Sequence, residues 1–472
     1  MIFRFAVTVF RDRLHIIMKA LNKKSIFSGA AFLALGAFTS KALGALYRIP
    51  LTNVLGGTGL GLYQMVFPVY ALLLDFSGAA VPGAISKLIA SEKEQDKERR
   101  AYAYLKSSIR LLLFFGLIGS TLMIVLSKPL SKLQGAPDAF LAYVFLSPAV
   151  FLVSLISCLR GYFQGLMNMI PTALSQVIEQ VVKLVFGLFL ANLFIYNTPK
   201  AVAGATFAIT ISEAVALLVL FILYLVRKKK LGLRFAFNNY EFKSQAKSII
   251  KTTVPITLIG ILLPFSQVID SFLTVNLIGS YRGDATALYG IFGGAVMTVI
   301  NLPVSICYGV STVAIPAVSA SKTQREVDKN SSKALLLTIA VALPCVIFVA
   351  VGAPFIINLL FRNLPQTEKA VAVNLLRITS PCILTLSTVQ TSNAVLIGKG
   401  RLYTPVTSLF FGVLVKTALN ILLLKIPSLN IYGGALALNA CYFTVCLINL
   451  ILIFNLKVKN ASKRPCNRQV AS

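Results

Sequence analysis

The chain has 472 residues, 57% of them hydrophobic and only 13% charged, with a net charge of +30 and a mean hydropathy of +0.81. That balance excludes a soluble enzyme built on one large core and describes a polytopic membrane protein. The positive charge does not point to nucleic acid, because the basic residues lie in short loops between apolar stretches, as membrane topology requires.

The N-terminal segment, residues 1–27, is basic and mildly amphipathic. It lacks a small-residue cleavage site, so it is not expected to be a cleavable signal peptide, and it suits the inner membrane surface. The next stretch, Ser28 to Pro50, is long and apolar enough to span a bilayer, yet it carries Lys41 and Arg48. Seven residues is nearly two turns of helix, so both cations point the same way, about 10 Å apart along the axis. Ala37 and Gly44 share that stripe and leave room beside the charges. A Lys or Arg at mid-membrane costs about 2.5 to 3.5 kcal/mol on insertion scales and normally faces a bundle interior or a wet cavity. Lys41 is too deep to reach water easily. Arg48, nearer one end, either snorkels to the interface or faces the same cavity.

Twelve spans are expected: 28–50, 60–81, 108–127, 139–159, 171–194, 201–226, 249–278, 286–315, 334–360, 370–397, 403–424 and 431–455. The GGTGLG run at 56–61 has no strand before it and no Lys-Ser/Thr after it, so it reads as a flexible turn and not a phosphate loop. Several spans contain proline, including Pro148, Pro255, Pro303, Pro344 and Pro381. Broken helices of that kind line cavities in transporters. Most of the 45 Lys and Arg fall in the N-terminal segment, the 82–107 loop, Arg160, the 227–251 stretch, the 316–333 loop, Lys399 with Arg401, and the tail. The alternate loops hold only Lys128, Lys132, Lys200, Arg282, Arg362, Lys369 and Lys425. Both termini are therefore expected on the cytoplasmic side of the membrane.

The chain also repeats. Ser147-Pro148 matches Ser380-Pro381, Gly165 matches Gly398, and Lys183 matches Lys416, each 233 residues apart. Nearby, 89–93 resembles 318–322 and 203–205 resembles 433–435. Six spans per repeat is an even number, so the halves enter the membrane the same way and enclose a central site. The expected organisation is a cytoplasmic segment 1–27, a first lobe 28–226, a basic linker 227–248, a second lobe 249–455 and a basic tail 456–472.

Within the spans the charges are few. Glu179 and Lys183 are four apart with the acid first, the favourable order for a helical pair, so a self-neutralised pair and a functional role both stand. Lys416 has Gly412 where its mate has Glu179, and needs a partner from elsewhere; Asp270 is the candidate, with Arg377 within conceivable reach of it. Glu213 is mid-span, either a proton site or a buried protonated acid hydrogen-bonded to a neighbour. Asp75 completes the set. Six of the seven cysteines lie in apolar spans and none forms a CxxC pair, which suits packing. The single His15 argues against a histidine-ligated metal. No metal, cofactor, nucleotide-binding or hydrolytic set is expected.

The segments SKALGALYRIPLTNVLGGTGLGLYQMVFPVYALLL (40–74), VPGAISKLIASE (81–92) and RGYFQGLMNMIPTALSQVIEQVVKL (160–184) resemble the stage V sporulation protein B group. That group is close to the lipid II flippases of the multidrug/oligosaccharidyl-lipid/polysaccharide exporter superfamily. The resemblance covers most of the chain. It implies an all-α, V-shaped bundle of two six-helix lobes that moves an undecaprenyl-pyrophosphate-linked sugar outward across the bacterial cytoplasmic membrane by alternating access. It also implies that Lys41 and Arg48 face the central cavity, with Na+, H+ or the membrane potential as the energy source. Well-studied flippases of the group have two further spans that form a lipid-tail groove, and some bind sodium in the second lobe, where this chain has Lys416. A cation-coupled multidrug antiporter and a non-transporting sporulation membrane protein are the alternative readings.

Overall fold

The computed structural model describes residues 26–455 except 80, 93–96, 232–238, 320, 322 and 402; the termini expected as cytoplasmic segment and tail lie outside these residues. All regular elements among the described residues are helical. In chain order they are α1 (Ile26–Leu74), a π-helical turn (Asp75–Ala79), α2 (Val81–Ala90), α3 (Lys97–Val125), α4 (Ser127–Leu133), a short 3-10 helix (Pro137–Ala139), α5 (Phe140–Gly165), α6 (Ile170–Leu193), α7 (Thr198–Leu231) and α8 (Asn239–Gly279). There follow α9 (Ala285–Gly290), a second π-helical turn (Ile291–Val296), α10 (Met297–Ser319), α11 (Gln324–Leu360), α12 (Gln366–Thr379), α13 (Pro381–Gly398), α14 (Thr404–Leu423) and α15 (Asn430–Asn455). The stretch expected as a 227–248 linker is helical at both ends, since α7 runs to Leu231 and α8 begins at Asn239.

Ten of these helices are long and apolar enough to cross a membrane, or eleven if the bent pair α12 and α13 is one span. The expected twelve stretches map onto these. The first two run into each other through a kink at Gly56 (φ 65°, ψ −176°) and are not separated by a loop. Only Gly56 makes that turn. The rest of the GGTGLG run is helical, so the flexible-turn reading holds for one residue. Gly57 and Gly61 instead allow close packing against α9: a methyl at Gly61 would lie 2.0 Å from the Thr286 carbonyl oxygen, and one at Gly290 would lie 2.2 Å from that of Gly57. Backbones approach this closely only where side chains are absent. The same end of the bundle is tied by Asn53, which donates to the Leu360 carbonyl at 2.8 Å and accepts from the Asn363 amide at 3.1 Å.

The two lobes repeat at the level of contacts. Gly165 would clash with Ile89 at 2.7 Å if it carried a methyl, and its mate Gly398 with Val318 at 2.9 Å; Ile89 and Val318 open the two matching segments. Proline inside a helix removes a backbone hydrogen bond, and each lobe repairs the loss in the same way. Ahead of Pro148, the freed Val144 carbonyl accepts from the Ser147 hydroxyl at 2.8 Å. Ahead of Pro381, the freed Arg377 carbonyl accepts from the Ser380 hydroxyl at 2.9 Å. In both cases the donor is the serine that directly precedes the proline. The outcome differs in one respect: α5 stays continuous through Pro148, whereas α12 and α13 meet at Pro381 with a 46° bend.

Helix α1 sits at the junction, packing on α6 and α7 of its own lobe and on α8 and α9 of the other. Gly61→Ala should therefore lower the thermal midpoint of the detergent-solubilised protein, because overpacking costs about 1–3 kcal/mol. Gly83→Ala, where nothing lies within 4 Å of the new methyl, should leave the midpoint unchanged or slightly raised. Equal midpoints for the two variants would contradict the close approach of α1 and α9.

Candidate functional site

Between the lobes lies a cavity of about 340 Å³, lined from α1 by Ser40, Gly44, Tyr47, Arg48, Tyr63 and Phe67. Helix α6 adds Gln180 and Lys183, and Thr298, Asn301 and Ser305 of α10 form the opposite wall. The helical stripe read from the sequence thus faces inward at Gly44 and Arg48, while Leu46 on the other side is 58% exposed. Residue 41 is helical, but the Lys41 side chain lies outside the described residues. Arg48 lines the cavity.

The Glu179–Lys183 pair expected from spacing does not form. Glu179 is fully engaged elsewhere: Arg160 donates to its Oε2 at 2.9 Å and Gln180 to its Oε1 at 3.0 Å. Arg160 is further held by the Ser175 hydroxyl at 3.1 Å. Its side chain is only 15% exposed, so it belongs to the bundle and not to the inner loops where the charge count placed it. The signal for this was the length of α5, which continues past Leu159 to Gly165. Lys183 is left facing the cavity, with Nζ 5.7 Å from the ring centroids of both Tyr47 and Phe67. Such cation–π contacts partly replace water around an ammonium without neutralising it. Among the described residues no carboxylate lies within ion-pair distance of Lys183. Glu213 of α7 is buried and lies within electrostatic reach of Arg160, Glu179 and Lys183.

The repeat mate of Lys183 meets the opposite fate. Lys416 is buried in α14, with Nζ 2.5 Å from Asp270 Oδ2 on α8, and Asn420 donates to the other carboxylate oxygen at 3.0 Å. The expected Asp270–Lys416 link is present, with both oxygens satisfied. Arg377 is not part of it: its side chain is exposed on α12, and among the described residues no ion pair joins it to Asp270. Asp75, on the first π-helical turn, rests half-buried against α8, where a methyl on Gly260 would come within 3.3 Å of its carboxylate. The described residues contain no group of three or more His, Cys, Asp or Glu able to hold a metal ion, and all six described cysteines are unpaired.

Residues 26–322 match the family described as Polysaccharide biosynthesis protein. The chain belongs to that family. Residues 255–422 also match the MatE family, and together these place the protein in the multidrug/oligosaccharidyl-lipid/polysaccharide exporter superfamily. It is 27% identical to Stage V sporulation protein B of Bacillus subtilis (strain 168), over 93% of this chain and 86% of the relative. It is 26% identical to the Lipid II flippase MurJ of the same organism, over 91% and 82%. Among solved structures, an inward-facing multidrug resistance MATE family transporter superposes with a TM-score of 0.72 at 16% identity, covering 88% of this chain and 94% of that one. The lipid II flippase MurJ in an inward closed conformation superposes with a TM-score of 0.67 at 17% identity, covering 90% and 88%. The protein is thus a multi-pass membrane protein with the transporter fold of this superfamily.

The second-lobe ion pair yields a double-variant test. Asp270→Asn or Lys416→Met alone leaves an unpaired polar or charged group in the bundle and should lower the thermal midpoint clearly, because breaking a buried pair costs about 3–5 kcal/mol. Asp270→Asn combined with Lys416→Met should recover much of the loss. Additive losses in the double variant would show that the two side chains act independently.

Proposed function

We propose that the protein is a flippase. It carries a lipid-linked, undecaprenyl-pyrophosphate-type precursor of cell wall or polysaccharide, lipid II foremost, outward across the bacterial cytoplasmic membrane by alternating access, with both termini in the cytoplasm. The observation that carries this reading is the inter-lobe cavity lined by Arg48 and Lys183, neither of which has a carboxylate partner among the described residues. A diphosphate cannot cross hydrocarbon bare, because desolvating its charges is prohibitive. Fixed cations replace part of its hydration, the guanidinium by bidentate hydrogen bonds and the ammonium as a point charge. Lys41, nearly two turns from Arg48 toward the N-terminus, is expected from that spacing to extend this cationic face, so the phosphates pass between α1 and α6 as the lobes rock.

Outward movement of an anion is downhill when the cytoplasm is negative, by about 2.3 kcal/mol per charge per 100 mV. Membrane potential then suffices as the driving force. Asp270, the one acid of α8 within its span, is already neutralised by Lys416, which leaves no vacant carboxylate there for a sodium ion. The potential coupling or structural roles of Asp75, Glu179, Glu213 and Arg377 are not needed for this step. Cation-coupled drug antiport fits less well, since a cationic drug calls for acidic cavity walls, and a purely structural sporulation protein leaves the cationic cavity without a purpose. The relatives named as a lipid II flippase and the polysaccharide biosynthesis family point the same way.

Lys41→Ala and Arg48→Ala should each give a folded, inserted protein that no longer exposes lipid-linked precursor on the outer face, assayed in cells lacking any other flippase. Arg48→Lys should retain part of the activity, because the charge stays and the fork is lost. Normal flipping by both alanine variants would overturn the proposal.

A further inference from the structure

The cavity has two unlike walls. The first lobe contributes the cations Arg48 and Lys183, and the second contributes the uncharged polar residues of α10. On that helix, residues 298, 301 and 305 fall at spacings of three and four and therefore share one face. They differ in what they have left to offer. Thr298 is buried, and its hydroxyl donates to the Gly294 carbonyl of its own chain at 2.6 Å. Its hydrogen is already spent. Ser305 donates to the Asn301 carbonyl at 2.7 Å, which leaves the lone pairs of its oxygen as acceptors. Asn301 is exposed toward the cavity, and among the described residues nothing hydrogen-bonds its side-chain amide.

Position gives that amide its meaning. Asn301 lies near the middle of the 285–319 span. An amide with no partner at that depth is costly unless water or a ligand satisfies it. Neither packing nor a neighbour in the bundle accounts for it, whereas Asn439, Asn449 and Asn420 elsewhere in the second lobe are all engaged through their side-chain amides.

We propose that Asn301 and Ser305 form a specificity wall. They hydrogen-bond the uncharged, hydroxyl- or acetamido-bearing group of a ligand whose anionic part Arg48 and Lys183 hold from the opposite lobe. The class of ligand is a sugar joined to a diphosphate. The amide supplies two donors and an acceptor, and the serine oxygen supplies an acceptor, which together match a hydroxyl beside an acetamido group. A ligand of this kind bridges the lobes, whereas a bare prenyl pyrophosphate engages only the cationic wall. The inference rests on the flippase reading above and adds the part of the substrate that this reading leaves unassigned.

The test uses the purified full-length protein in detergent and two probes: farnesyl pyrophosphate, and the same molecule carrying N-acetylglucosamine on its terminal phosphate. Binding of each is measured by isothermal titration. Combining Asn301→Ala with Ser305→Ala should weaken the sugar-bearing probe about tenfold, the size expected for two lost hydrogen bonds, and should leave the sugar-free probe within about twofold of the parent protein. Asn301→Gln, which keeps the amide, should lose less. Retained binding of the sugar-free probe shows that the variant is folded. Equal weakening of both probes, or no weakening of either, overturns the specificity wall. Arg48→Ala answers the separate question: it should weaken both probes, and if it weakens neither, the flippase reading itself fails whatever the α10 variants do.

Discussion

A charge placed within a membrane span must be neutralised by a partner or supplied with water, and this fold does both with one repeated residue. Lys183 and Lys416 occupy equivalent places in the two lobes. In the second lobe the ammonium is tied to Asp270 and the carboxylate is closed off by Asn420. In the first lobe the nearest acid in sequence, Glu179, is taken by Arg160, and Lys183 turns to the cavity over two aromatic rings. The lysine of the second lobe is balanced within its own lobe, and that of the first presents positive charge to the space between them. The transport chemistry proposed here depends on that asymmetry.

The scaffold beneath it is close to symmetric. Gly165 on Ile89 and Gly398 on Val318 are one contact made twice, as are the serine hydroxyls that satisfy the carbonyls freed by Pro148 and Pro381. Helix α1 is the element shared by both lobes, since it packs on helices of each. A multidrug resistance transporter and a lipid II flippase both superpose on this chain at identities of 16–17%, so the fold by itself does not set the cargo and the cavity walls must.

Much of this is legible in the sequence, because hydropathy, small-residue motifs and the inward stripe of Gly44 and Arg48 are local or periodic signals. The Asp270–Lys416 link was also readable, by elimination, since Gly412 denies Lys416 a partner on its own helix. The charges of the first lobe were not. Glu179 had an apparent partner four residues on, and spacing along one helix says nothing about Arg160 arriving from α5. Arg160 itself was hidden by a span boundary drawn at residue 159, one residue short of it. The glycine run at 56–61 was misread for a related reason: glycine permits both a turn and a close helix contact, and only the position of α9 decides between them. Asn301 carried no signal at all, because a lone asparagine in an apolar run reads the same whether it is capped by a neighbour or faces a cavity.

The central claim is that two equivalent lysines differ in availability, Lys183 open to an anion and Lys416 sealed by a carboxylate. Amine acetylation with an N-hydroxysuccinimide ester on the detergent-solubilised protein, read residue by residue by mass spectrometry, tests it directly. The account predicts that Lys183 is modified, that farnesyl pyrophosphate protects it, and that Lys416 stays unmodified with or without the pyrophosphate. Modification of Lys416 as fast as Lys183, or labelling of Lys183 that the pyrophosphate does not slow, would contradict it.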